Sequence, residues 1–176
     1  LYGFWNAFGG QIMDANGHCL ADQGGIAPAM QYILELQTAG ALFEHEYESA
    51  KSKFINGETG MLINGPWVLA ELKAALGNDL GVALLPSGPS GISKPINGID
   101  GFFVNPNTSN PANVFNLALY MTNQASSQIL MNSGGHIPVR SDVTSSDPLV
   151  NTFAQASAQG YPRPQIRQIN NYWGPF

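Results

Sequence analysis

The chain has 176 residues, 44% of them apolar, and a formal charge of −5 from 7 basic and 12 acidic side chains. Charged residues make up only 11%, against about a quarter in ordinary domains, and no basic patch faces a phosphate backbone, which argues against nucleic acid as a partner. The apolar share excludes disorder, no apolar run approaches the roughly 20 residues of a membrane span, and the lone Cys19 excludes an internal disulfide or a cysteine metal site.

Phe8 to Met13 reads as an extended stretch that runs into the turn signal Asp14-Ala15-Asn16-Gly17. That turn opens like a calcium loop, but the later ligands, ending in glutamate, do not follow, so a plain turn is the reading. Ile26, Met30, Ile33 and Leu34 recur at helical spacing, with Pro28 in the first turn and Gly40 at the end. A shorter amphipathic helix carries Tyr47, Ala50 and Phe54, and Gly57 suits the left-handed position that closes it.

Met61-Leu62-Ile63 is a short unbroken apolar run, predicted to be a strand buried on both faces and stopped by Asn64-Gly65-Pro66. Trp67 follows at its carboxyl end, the edge where open α/β sheets bind ligands; the alternative is that Trp67 is a core residue. Trp67 to Leu76 reads as a helix closed by Gly77-Asn78. Leu80 to Leu85 reads as a second buried strand stopped by Pro86, and Phe102-Phe103-Val104 as a third. The loop Ser87-Gly88-Pro89-Ser90-Gly91 lacks the Lys-Ser/Thr ending of a phosphate loop, so nucleotide binding is rejected.

Asn110-Pro111 and Asp147-Pro148 are cap-plus-proline helix starts, the first ahead of Val114, Leu117, Ala118 and Met121, the second ahead of Leu149, Phe153 and Ala156. Between them another helix covers about Ala125 to Met131. Tyr161 to Pro164 is extended, and Asn170 to Trp173 starts a last helix. Helices alternating with buried strands predict an α/β class with a mainly parallel sheet.

Three segments carry a resemblance. They are Phe54-Ile55-Asn56-Gly57-Glu58-Thr59-Gly60-Met61 running into Asn64-Gly65-Pro66-Trp67, then Gly134-Gly135-His136-Ile137-Pro138-Val139-Arg140-Ser141, then Arg163-Pro164 followed by Asn171-Tyr172-Trp173. In this order the chain resembles the extracellular (periplasmic) solute-binding proteins of sugar ABC transporters, in their maltose/maltodextrin-binding branch. The resemblance implies a periplasmic-binding-protein-like type II fold, a two-lobed α/β body. It implies that 1–93 and 141–176 belong to the second lobe and that 94–140 make an excursion into the first, as a strand plus helices. Leu1-Tyr2-Gly3-Phe4-Trp5 would fall near the middle of a complete binding protein, so the chain is expected to be an internal or C-terminal-half fragment.

Sugars expose apolar C–H faces and a rim of hydroxyls, so a site for them needs flat aromatic platforms with planar polar groups at the edges. Trp67, Trp173 and Tyr47 match family positions that stack on or border a bound sugar, with half-buried packing as the alternative. Arg163, beside Pro162 and Pro164, and Asp100, bracketed by Gly98 and Gly101, are polar candidates. Their alternatives are a surface ion pair and a turn aspartate bonded to its own backbone.

The resemblance thus implies binding of a malto-oligosaccharide-like carbohydrate for delivery to an ABC importer. It implies membrane permease subunits as partners, no cofactor, and a periplasmic or extracellular location, with a lipid anchor on the full-length parent compatible with it. One alternative is an extracellular sensor or interaction domain on the same fold. Another is a glycoside-active enzyme, for which Glu44, His45, Glu46 and Glu48 form the densest titratable cluster. Against an enzyme, alternating glutamates at a helix start are usually solvated, His18, His45 and His136 lack metal spacing, and no Gly-x-Ser-x-Gly elbow occurs.

Overall fold

A computed structural model describes residues 2–41, 44 and 46–173, without the side chains of Tyr2, Tyr172 and Trp173. The elements in chain order are α1 (Tyr2–Ala7), α2 (Ile26–Thr38), α3 (Tyr47–Ile55), α4 (Leu69–Leu76), β1 (Ile96–Asn97), α5 (Pro111–Met121), α6 (Gln124–Gly134), α7 (Pro148–Gln159), β2 (Tyr161–Pro162) and α8 (Asn170–Trp173). Single 3₁₀ turns at Pro66–Val68, Gly77–Asp79 and Arg167–Ile169 join them.

The helix starts follow from their caps. The Asn110 side chain accepts from the Asn113 N–H at 3.2 Å with Pro111 in the first turn, and Asn123 accepts from Ser126 N–H at 2.8 Å. Asp147 Oδ1 takes the Leu149 N–H at 2.8 Å ahead of α7. Each satisfies a donor that the first helical turn leaves without an intrahelical partner. The expected turn at Asp14 also forms: its Oδ1 accepts from the N–H groups of Asn16 and His18, both at 2.8 Å.

The chain divides into two compact units. The first comprises Leu1–Lys53, Leu84–Gly98 and Gln155–Phe176. Its core is Trp5, Ile12, Met13, Ala29 and Ile169, flanked by Phe8, Ile26, Ile96, Tyr161 and Ile166. It also holds the one sheet among the described residues, β1 beside β2 in parallel, with Ile96 opposite Tyr161 and Asn97 opposite Pro162. The second unit comprises Phe54–Ala83 and Ile99–Ala154. Its core joins Val68, Leu69, Leu72 and Leu80 to Met131, Val143 and Val150.

The fold class is α/β and the pairing is parallel, but the predicted buried strands are not strands. Met61–Ile63 and Leu80–Leu85 lie in no ladder among the described residues. Met61 is 89% and Ile63 59% exposed, while Leu62 between them packs on the second unit's core. Successive side chains of an extended segment point to opposite faces, and with no strand alongside only one face is covered. An unbroken apolar run therefore signalled a two-sided burial that these elements alone do not supply. Phe102–Val104 shows the same outcome, with Phe103 95% exposed and no strand assigned. Among the described residues no helix is long and apolar enough to cross a membrane.

Candidate ligand-binding site

In the first unit the parallel pair sets the geometry. The Tyr161 N–H donates to Pro95 O at 2.7 Å, and the Arg163 N–H donates to Asn97 O at 2.9 Å, so the ladder continues one residue past β2. The Asn97 side-chain amide donates to Ser157 O at 2.6 Å and ties β1 to the end of α7. Gly160 makes this approach feasible, since a β-carbon there would stand 2.6 Å from both Asn97 amide atoms.

Arg163 thus emerges at the carboxyl end of the pair, the edge at which α/β proteins bind ligands. It is half-buried, and its guanidinium lies beside Gly98, which follows β1; a β-carbon on Gly98 would sit 3.7 Å from Nη1. Among the described residues the guanidinium has no ion-pair partner, so nothing there favours the surface-ion-pair alternative.

Tyr47 opens α3 with its ring 47% exposed. Lys51, one turn on, places Nζ 5.7 Å from the ring centroid and 2.7 Å from Glu48 Oε2. Burying the lysine stem under an exposed tyrosine fixes the ring from one side. Lys51 is not among the sequence candidates, although the spacing Tyr47-Glu48-Lys51 carries both the i,i+4 and the i,i+3 relation.

The glutamate cluster does not form a paired acid and base. Glu44 accepts from Lys53 Nζ at 2.5 Å, Ser49 Oγ at 2.9 Å and the Glu46 N–H at 3.2 Å. Lys53 first, then the Glu46 N–H and Ser49, hold its carboxyl down at about 2, against an ordinary 4.5. A group so depressed stays a carboxylate at neutral pH and gives no proton to a leaving group. His45 lies outside the described residues.

The same shift predicts a pH effect. A depressed folded-state pKa contributes stability that is present above the unfolded value and lost as pH falls through the folded one. Wild-type melting temperature should therefore fall more steeply than that of Glu44→Gln between about pH 4.5 and pH 2, as thermal melts across that window would show. Parallel curves would mean that Glu44 does not hold the start of α3.

In the second unit, Trp67 lies in the 3₁₀ turn between the extended segment and α4. The turn drives its next two residues inward, with Val68 4% and Leu69 1% exposed, and leaves the indole 62% exposed. The core alternative for Trp67 is thereby excluded. Asp100 is exposed, and its carboxylate accepts no hydrogen bond from the described residues, so it is not a turn aspartate holding its own backbone. Trp173 ends α8, and its side chain lies outside the described residues.

The five candidates are accordingly divided. Tyr47, Arg163 and Trp173 belong to the first unit, Trp67 and Asp100 to the second. A cleft of about 480 Å³ in the second unit lies between Leu69, Lys73, Met131, Asn132 and Asp147, with Lys73 Nζ 2.5 Å from Asp147 Oδ2. Its lining has no aromatic side chain, so it offers no platform for a sugar ring. Among the described residues no group of three His, Cys, Asp or Glu is placed to hold a metal.

The sequence profile of a family described as bacterial extracellular solute-binding protein matches residues 2–157. The chain belongs to this family. The maltotriose-binding protein of Pyrococcus abyssi (strain GE5 / Orsay) is 28% identical over 140 residues, which cover 73% of this chain and 30% of that protein. The maltotriose-binding protein of Thermus thermophilus, solved with maltotriose, is 30% identical with a TM-score of 0.83, over 99% of this chain and 50% of that one. The maltose/maltodextrin-binding domain of Bdellovibrio bacteriovorus, bound to maltotriose, gives a TM-score of 0.84 at 24% identity, over 98% of this chain and 48% of that one. The chain thus spans about half the length of the solved relatives and less of the Pyrococcus protein. These likenesses bear out the α/β binding-protein fold.

Proposed function

We propose that this chain is part of a receptor that binds a malto-oligosaccharide-like carbohydrate and hands it to an ABC importer. The single observation that supports it most is Trp67: a large apolar plane, left 62% exposed by a turn whose neighbours are buried, in a family of solute-binding proteins. An exposed indole offers a flat apolar face with a polar edge, and sugar C–H faces fit that surface. The maltotriose carried by two of the solved relatives makes this sugar the natural first ligand to try.

In this reading Trp67, Trp173 and Tyr47 are platforms, while Arg163 and Asp100 meet hydroxyls. The receptor works outside the cytoplasm, as its family's description requires. Docking on membrane permease subunits and a lipid anchor complete the proposal, which includes no cofactor and no chemistry on the sugar. Residues 1–93 and 141–176 are assigned to the second lobe and 94–140 to the first. The exposed Phe115, Leu117, Leu119 and Tyr120 of α5, a helix with no buried residue, speak for that division, whereas the core that joins Leu69 and Leu72 to Met131 runs across it.

Calorimetry of the intact receptor against a panel of sugars tests the reading, with heat expected for maltotriose. Release of reducing ends would overturn it in favour of a glycosidase. Silence with every sugar, together with binding of a peptide or a protein domain, would favour a sensor. Arg163→Ala should weaken sugar binding by roughly tenfold, the scale of one hydrogen bond to a charged group. Arg163→Lys should recover little of it, because a point charge does not reproduce the planar fork. Equal affinity in all three proteins would remove Arg163 from the site.

A further inference from the structure

Gly65 has a backbone conformation that does not call for glycine. Its φ of −108° and ψ of 177° are ordinary extended values, of the kind that Pro66 imposes on whatever residue precedes it. A glycine here adds freedom to the unfolded chain with no conformational return in the folded one. The reason for it lies in space. A β-carbon at position 65 would stand 2.1 Å from Trp67 Cζ3, 2.2 Å from Cη2 and 2.6 Å from Cε3. The six-membered ring of the indole is folded back onto the Gly65 backbone, and Gly65 is buried beneath a side chain that is itself 62% exposed.

We infer that Gly65 is a positioning residue: its missing β-carbon lets the Trp67 indole lie against the chain, and this contact fixes the plane on which a ligand stacks. The inference rests on the reading of Trp67 as a sugar platform. The geometry around it supports a fixed orientation. The Gly65 N–H donates to Asn64 Oδ1 at 2.8 Å, Pro66 locks its own φ, and Val68 and Leu69 anchor the turn in the core. The indole is thus held at its base by the buried turn and on one face by the glycine. With Trp67 62% exposed, ring surface away from the glycine meets solvent. The atoms that a β-carbon would displace are the far end of the indole, so the expected response to one is rotation of the ring, not unfolding.

The experiment is a double-mutant cycle in the intact receptor, with maltotriose as the probe: Gly65→Ala, Trp67→Ala and the pair. Gly65→Ala should weaken binding by about tenfold, the scale of a contact displaced by roughly 1 Å. Its melting temperature should hold or rise, since alanine suits the extended backbone, and its near-UV circular dichroism should change as the indole turns. In the Trp67→Ala background the same substitution should cost no further affinity.

Unchanged binding in Gly65→Ala, or an equal loss with and without Trp67, overturns the positioning role. If Trp67→Ala itself binds normally, the platform reading fails and the effect on sugar fails with it. In that case the near-UV change in Gly65→Ala still decides whether the glycine orients the indole.

Discussion

Trp67→Ala in the intact receptor should weaken maltotriose binding by roughly tenfold to a hundredfold while leaving the melting temperature almost unmoved. Stacking an apolar sugar face on an indole removes both from water, worth on the order of 1–3 kcal/mol, and each 1.4 kcal/mol is about a decade in affinity. The large cavity cost of truncating a core tryptophan, roughly 3–5 kcal/mol, does not apply to a ring that is 62% exposed. Measuring affinity and melting temperature on one preparation separates the cases. A melting temperature lower by many degrees with affinity intact would show that the indole serves packing and that the sugar stacks elsewhere.

The sequence signals that proved readable were local ones. Asn110-Pro111 and Asp147-Pro148 mark α5 and α7 because a side-chain cap followed by a proline is chemistry within a few residues. The turn at Asp14 and the helix end at Gly57, with φ of 75°, are legible for the same reason. What was not legible depends on neighbours. Met61–Ile63 carries an apolar run that looks like a two-sided strand, yet only Leu62 finds a core. α1 passed unnoticed because Tyr2–Ala7 has neither a cap residue nor charges in its turns to announce it.

Of the candidate site, the exposure of Trp67 follows from Asn64-Gly65-Pro66, a stop signal that sends the next residue out of line. The placement of Arg163 could be seen only after β1 and β2 paired, since Arg163 follows Asn97 by 66 positions in the chain. The close approach at Gly65 was also hidden: a glycine before a proline reads as a turn former, and only the folded chain shows that its hydrogen makes room for an indole.

Leu69→Ala, two residues from the exposed indole, should have the opposite effect. Leu69 is 1% exposed and lies in one core cluster with Leu72, Met131, Val143 and Val150. Its truncation leaves a cavity that its neighbours, held on α4, α6, α7 and the segment between the last two, can only partly fill, at a cost of about 3–5 kcal/mol. For a protein of this size that corresponds to a fall in melting temperature on the order of 10 °C. Gly135→Ala should act on the same contact from the other side. Gly135 closes α6 with φ of 69°, and a β-carbon there would meet Leu69 Cβ at 2.8 Å, an atom too close to the backbone to swing away. The strain of a left-handed alanine adds to that collision. Met61→Ala is the control, since at 89% exposure it should change stability by less than about 0.5 kcal/mol. Thermal melts of the three variants should therefore separate widely, with Leu69→Ala and Gly135→Ala low and Met61→Ala at the wild-type value. Maltotriose affinity, measured well below each melting point, should be retained in Leu69→Ala far better than in Trp67→Ala. Were Leu69→Ala to melt like Met61→Ala, the second unit would not be held together by the core assigned to it, and the buried turn that carries Trp67 would lose its anchor.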